Sequence, residues 1–206
     1  MRILLLGGAA GAVLFSLATI VSAALRPQYN HLTSFISELG ASGTPYAPIM
    51  NYLGFVPAGL LLAVFGIALM RSTSRRVPAV IGSALVVLFG LGVAASGMIS
   101  CDAGCPQSGG SPANTVHNAI GPVSFISMIL GVALLSYDFK QGPYLRSFSL
   151  YSFVTSGLAL LFLVALVGSL DSKTLTGLWQ RLFLATMFLW CAIIGIRAFQ
   201  IPAANS

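Results

Sequence analysis

Six apolar runs, at about 3–25, 48–70, 78–99, 115–137, 148–170 and 181–200, decide what this chain can become. Each holds roughly the 20 residues that a helix needs to cross a hydrocarbon core of about 30 Å. In hydrocarbon every backbone polar group must find its partner within the segment or in a closed barrel. Long runs without strict alternation are helices, not barrel strands. Hydrophobic residues make up 57% of the chain and charged residues 7%, where soluble domains carry about a quarter charged. The expected fold is all-α: an integral membrane six-helix bundle, one transmembrane domain spanning 1–206. The first run starts Met1-Arg2, and Val21-Ser22-Ala23 imitates a cleavage site. Its apolar stretch exceeds the roughly 7–15 residues of a signal-peptide core, so it reads as a retained helix.

A net charge of +6 raises the question of nucleic acid, and the placement of the charge answers it. Arg2, Arg71, Arg75, Arg76, Lys140, Arg146 and Arg197 fall at one set of helix ends, and only Arg26, Lys173 and Arg181 at the other. This is the positive-inside pattern, which puts both termini in the cytoplasm. The basic residues are scattered over short segments beside the membrane. They predict anionic lipid headgroups as partners and no nucleic acid.

The unusual polar chemistry collects on the opposite, outer side. Both histidines, His31 and His117, are there, with Glu38, Asp102, Asp171 and the Cys101/Cys105 pair. Within the outer segment 26–47, Leu32, Phe35, Ile36 and Leu39 are spaced i, i+3, i+4, i+7. That spacing predicts a short amphipathic helix, capped by Asn30 and ended by Gly40. On such a helix His31 and Glu38 would stand about 10 Å apart along the axis, too far to share one metal ion. Glu38 either faces solvent or turns inward to a cation such as Arg26 or Arg181. Arg181, placed at the outer start of the sixth helix, either snorkels or pairs with a phosphate headgroup or an acid, Asp102, Glu38 or Asp171. Trp179 reads as an interfacial anchor.

Cys101-Asp102-Ala103-Gly104-Cys105-Pro106 sits in the next outer loop. An oxidising compartment favours a Cys101–Cys105 disulfide, with redox exchange and metal binding as alternatives. Pro57 and Pro122 predict kinks in the second and fourth helices, opening a pocket toward the outer face. Gly7-x-x-x-Gly11 and the small residues of 90–97 predict close helix packing. Ser111-Pro112 is a cap followed by a first-turn proline.

His117 and Asp102 are the catalytic candidates. With Glu38 they form a weak candidate set for Zn²⁺, which would activate water against an ester or phosphodiester. Ser96 or Ser100 with His117 and Asp102 would be the serine variant, without a Gly-x-Ser-x-Gly elbow. The alternative gives His117 a structural bond to Asn51, Asp102 or a loop carbonyl. No cofactor is indicated, and helix interiors nearly free of ionisable groups argue against a channel or proton-coupled transporter.

Several patches taken together carry a resemblance. They are Tyr29-Asn30-His31, Ile36-Ser37-Glu38-Leu39-Gly40-Ala41, Asn51-x-x-Gly54-Phe55, Cys101-Asp102-x-Gly104-Cys105-Pro106, His117-Asn118 and Gly177-Leu178-Trp179-Gln180-Arg181. In this order the chain resembles the domain-of-unknown-function 998 family of six-helix bacterial and archaeal membrane proteins, over residues 5 to 198. The resemblance implies that fold and a prokaryotic cytoplasmic membrane, and implies no activity. The first patches are also similar to a short segment of the Frag1/DRAM/Sfk1 membrane proteins, which implies a link to lipid handling.

The sequence thus predicts an outer-facing cleft that binds a lipid headgroup or amphiphile. Arg26 and Arg181 would contact its anionic part, and Glu38, Asn51, Asp102, His117 and Asn118 would shape the pocket. An outer-leaflet hydrolase and a structural subunit of a membrane assembly, with a protein partner or as a homo-oligomer, are the other readings.

Overall fold

The computed structural model describes residues 2–201. Its long helices are α1 (Gly7–Ala24), α2 (Val56–Ser72), α3 (Val77–Met98), α4 (Pro112–Gln141), α5 (Ser149–Gly168) and α6 (Thr176–Gln200). A 3-10 turn, Arg2–Leu6, extends α1, and a π-helical segment, Ile49–Phe55, leads into α2. With these extensions six spans are long and apolar enough to cross a membrane. Each helix packs on its sequence neighbour, and α1 closes the ring against α6. The two described chain ends share one end of the bundle, where the Arg2 guanidinium donates to the Phe199 and Ile201 carbonyls.

The core runs through Phe65, Phe89, Phe183, Met187 and Trp190. Lipid is as apolar as leucine, so close packing and hydrogen bonds between helices must hold such a ring together. Small residues serve the first need: a Cβ on Gly59 of α2 would press into the Ala94 N–H and the Gly90 carbonyl of α3. Hydroxyls serve the second. Ser136 of α4 and Ser149 of α5 each donate to the other's carbonyl, at 3.0 and 2.9 Å. The Trp190 indole donates to Ser152 Oγ at 2.9 Å.

Pro57 and Pro122 lie inside helices, and the first loop departs from the sequence expectation. Pro57, in the first turn of α2, comes directly after the seven-residue π-helix. Proline has no N–H to close a normal turn, and the wider winding before it places Asn51 in the bundle. Pro122 lies within the continuous α4. In the first loop, residues 31–34 form a turn, and the helical part is the 3-10 segment Ile36–Gly40. Phe35 is extended there (φ −62°, ψ 149°). Ile36 and Leu39 are buried, while Leu32 is exposed.

Candidate functional site

The polar motifs gather at the disulfide end of the bundle, the end that carries the 99–111 loop. The first loop is clamped onto the start of α6, which begins five residues earlier than the apolar run suggests. Arg181 is therefore in the second turn of α6. Its guanidinium donates to the Ser34 carbonyl (3.0 Å), the Gly177 carbonyl (2.8 Å) and the Tyr29 hydroxyl. The Tyr29 hydroxyl donates onward to the Phe35 carbonyl at 2.9 Å. The Leu178 N–H of α6 donates to the Leu32 carbonyl at 3.0 Å, and Gln180 Oε1 accepts from the Ile36 N–H at 2.7 Å. Gly177 permits this approach, since a Cβ there would lie 2.8 Å from the His31 carbonyl oxygen. Trp179 stacks on Phe162 of α5. These contacts explain why Gly177-Leu178-Trp179-Gln180-Arg181 is a motif: four of its members grip the first loop. They also correct the expectation of a carboxylate partner for Arg181, whose bonds go to two carbonyls and a phenol.

Glu38 does turn inward, toward its own backbone. Its Oε1 accepts from the Phe35 N–H at 2.8 Å, capping the 3-10 segment, and Arg26 donates to the Glu38 carbonyl at 2.6 Å. Burial pushes the Glu38 carboxyl above its usual range, against the pull of the Phe35 N–H and Arg26. Burial likewise raises the Tyr29 phenol, against the pull of Arg181. His31 lies on the exposed turn and packs edge-on against the Tyr29 ring. Asn51 reaches from the π-helix to donate to the Gly40 carbonyl (2.9 Å) and Ser100 Oγ (3.0 Å).

The second lock is the cysteine loop. Cys101 and Cys105 form a disulfide. Between them Gly104 takes φ +77°, which glycine adopts without strain. Asp102 holds Ser111 at both ends: one carboxylate oxygen accepts from the Ser111 N–H (2.6 Å), the other from its hydroxyl (2.7 Å). Those bonds hold the Asp102 carboxyl below the usual carboxylate range. Fully buried Asn114, on the first turn of α4, donates to the Pro106 and Gly109 carbonyls and accepts from the Asp102 N–H. Asn118 donates to the Pro106 carbonyl at 2.8 Å.

A carboxyl with a depressed folded pKa contributes stability that is complete above its ordinary unfolded value. That contribution is lost as pH falls through the depressed one. We expect the melting temperature in detergent to drop on acidification below the carboxylate range. Asp102→Asn should flatten this part of the profile, and parallel pH profiles of the two proteins would contradict the Ser111 clamp. Glu38 works in the opposite sense and is common to both proteins, so their difference isolates Asp102.

Asp102 is thus spent on Ser111, and His117 bonds elsewhere. The buried His117 ring places Nδ1 2.7 Å from the Ile99 carbonyl oxygen. A carbonyl only accepts, so Nδ1 carries the proton, and the Ser96 backbone is a second partner of the ring. Among the described residues no three His, Cys, Asp or Glu side chains converge on a point that would hold a metal ion.

Beside this lattice lie two adjoining cavities, of about 190 and 60 Å³, both lined by Ser37, His117, Gly121, Phe125 and Gln180. Asn118, Gln107 and Cys105 add to the polar end of the larger one. Its remaining walls are apolar and include Ile126 of α4 and Leu163 and Val167 of α5. Ile126 and Val167 are 49% and 59% exposed on the bilayer-facing side of the bundle. No charged side chain lines either cavity: Arg26, Glu38, Asp102 and Arg181 are absent from their walls, and so is Asn51. The site therefore unites two of the sequence candidates, His117 and Asn118, with Gln180, Ser37 and Gly121, which the charge pattern did not select. Gln180 stood in the family motif, and its position one helical turn from the glycine that meets the first loop was the available signal.

Six spans and interlocked polar loops at one end define a multi-pass integral membrane protein whose helices contact lipid. The chain belongs to the family described as protein of unknown function DUF998, whose model matches residues 9–197. No curated protein and no solved structure matches it.

Proposed function

We propose that the cleft between α4, α5, α6 and the first loop binds the uncharged polar end of an amphiphile, whose apolar part lies along the bilayer face of α4 and α5. The observation that carries this reading is a cavity apolar on its bilayer side, hydrogen-bonding at its inner end and free of formal charge. The Gln180 amide would donate a hydrogen bond, which suits a hydroxyl, carbonyl or ester oxygen. A volume of about 190 Å³ is small beside the roughly 300–1,000 Å³ of full ligand pockets, so one end of the molecule enters and the rest stays in lipid. The arginine distribution supports an orientation with both chain ends in the cytoplasm and the cleft in the outer half of a prokaryotic cytoplasmic membrane.

A photoactivatable diacylglycerol in nanodiscs tests the reading. Labelling is expected to concentrate on α4 near 117–126 and α5 near 163–170, and to fall about fivefold in Gln180→Leu, the loss of about one hydrogen bond. Labelling spread evenly over all bilayer-facing helices would contradict it. Release of fatty acid from the probe, abolished by His117→Ala, would replace binding with hydrolysis.

A further inference from the structure

Two amides that line the cleft are held in opposite senses by the backbone. Gln180 is fixed by a main-chain N–H, which only donates: its Oε1 faces the Ile36 N–H at 2.7 Å, so the Nε2 amide group is what the side chain has left. Asn118 is fixed by a main-chain carbonyl, which only accepts: its Nδ2 faces the Pro106 oxygen at 2.8 Å, so Oδ1 is left. Neither Gln180 Nε2 nor Asn118 Oδ1 has a partner among the described residues. Gln107, exposed at the edge of the larger cavity, repeats the second arrangement: its Nε2 donates to the Cys105 carbonyl at 3.0 Å, and Oε1 remains. The other polar walls impose no such order. Ser37 carries a hydroxyl that donates or accepts, and the His117 ring already has its two backbone partners.

The donor and the acceptor occupy different parts of the cleft. Gln180 lines both adjoining cavities, and Asn118 lines only the larger one. A donor therefore stands where the cavities meet, and an acceptor stands beside Pro106, toward the cysteine loop. A ligand that satisfies both carries an acceptor and, a few atoms away, a donor, because a buried polar group left unpaired costs more than a bond gains. A quinone or a fully esterified glyceride has acceptors only and leaves Asn118 unanswered. An ionised headgroup finds no charged side chain in the walls. We propose that the cleft is selective for a hydroxy ester such as a diacylglycerol, its ester carbonyl accepting from Gln180 Nε2 and its neighbouring hydroxyl donating to Asn118 Oδ1. This assignment rests on the reading of the cleft as an amphiphile site and adds the chemical class of the occupant.

Three probes separate the two contacts: a diacylglycerol, its O-methyl ether, which lacks the hydroxyl proton, and the matching dialkylglycerol, which keeps the hydroxyl and lacks the carbonyls. The full-length protein in mild detergent is given the probes in competing pairs, and retention is read by native mass spectrometry. The readout is a ratio within one protein, so it does not depend on the fraction folded. Wild type is expected to prefer the diacylglycerol about fivefold over each analogue, the worth of about one hydrogen bond. Gln180→Glu keeps an oxygen for the Ile36 N–H and replaces the donor. It should lose the preference over the dialkylglycerol and keep the preference over the methyl ether. Gln180→Leu presents no donor at all and should give the same pattern, which covers a glutamate variant that does not fold. Asn118→Ala should show the converse: no preference over the methyl ether, and the carbonyl preference intact. Equal retention of the three probes by wild type overturns the hydroxy-ester assignment and leaves the amphiphile cleft standing. Retention of none overturns both. Loss of both preferences together in each folded variant also overturns the assignment, since neither amide would then read its own group.

Discussion

Arg181→Met is expected to cost about 3 kcal/mol, because it strips a charged donor from two carbonyls and a phenol that have turned away from water to meet it. Those acceptors are the Ser34 and Gly177 carbonyls and the Tyr29 hydroxyl. The Leu178 and Gln180 bonds to the first loop would survive on paper, but both depend on the register that Arg181 sets between 29–36 and α6. The substitution should lower the melting temperature in detergent and accelerate hydrogen exchange over residues 29–40, with little change in α2 and α3. Arg181→Lys should recover only part of the loss, since one ammonium cannot reproduce the fork that spans both carbonyls. Unchanged exchange in the first loop would mean that the loop is held by Ile36 and Leu39 packing alone.

Gly59→Leu should destabilise by roughly 3 kcal/mol or more, at the upper end of overpacking effects. The obstacle is backbone: the Ala94 N–H and, 2.6 Å from the would-be Cβ, the Gly90 carbonyl oxygen. Backbone in a neighbouring helix cannot swing aside as a flexible side chain does, so α2 and α3 would have to separate along their seam. Gly157→Leu is the matched control. Nothing lies within 4 Å of a Cβ there, and the helix gains propensity of up to about 1 kcal/mol. Equal melting temperatures for the two variants would show that the α2–α3 approach is not needed for stability.

Much of the architecture was legible because bilayer thickness imposes it. Apolar length fixed six spans, and Ser111-Pro112 marked the start of α4. The ends were less legible. The apolar run at 181 hid the true start of α6 at Thr176, because Trp179 and Gln180 read as residues before the helix when they belong to its first turns, facing another loop. The i, i+3, i+4, i+7 spacing around Phe35 was real, but the Leu32 and Ser34 carbonyls bond α6, and the helix forms only after Phe35. Charge asymmetry points to the polar end and carries no information on what its charges bond. Glu38, Asp102 and Arg181 are the residues a sequence reader selects for chemistry, and each is occupied in holding backbone. Neutral Gln180 and Gly121, which line the cavity, carry no signal that charge patterning can detect. Asn114 was missed for the same reason, although a buried asparagine three residues after a capping serine organises the whole cysteine loop.

The uncharged cleft is tested most directly by filling it. Gly121 lines both adjoining cavities, and a Cβ there meets nothing within 4 Å. Gly121→Leu should therefore fill the cleft without a clash against neighbouring helices, the restriction that Pro122 places on the residue before it offsetting a gain in helix propensity of up to about 1 kcal/mol. Native mass spectrometry of the two proteins, purified in mild detergent from the same lipid mixture, is the decisive comparison. A neutral amphiphile should be retained by wild type and lost from the folded variant. The same neutral lipid bound equally to both proteins, or to neither, would contradict it.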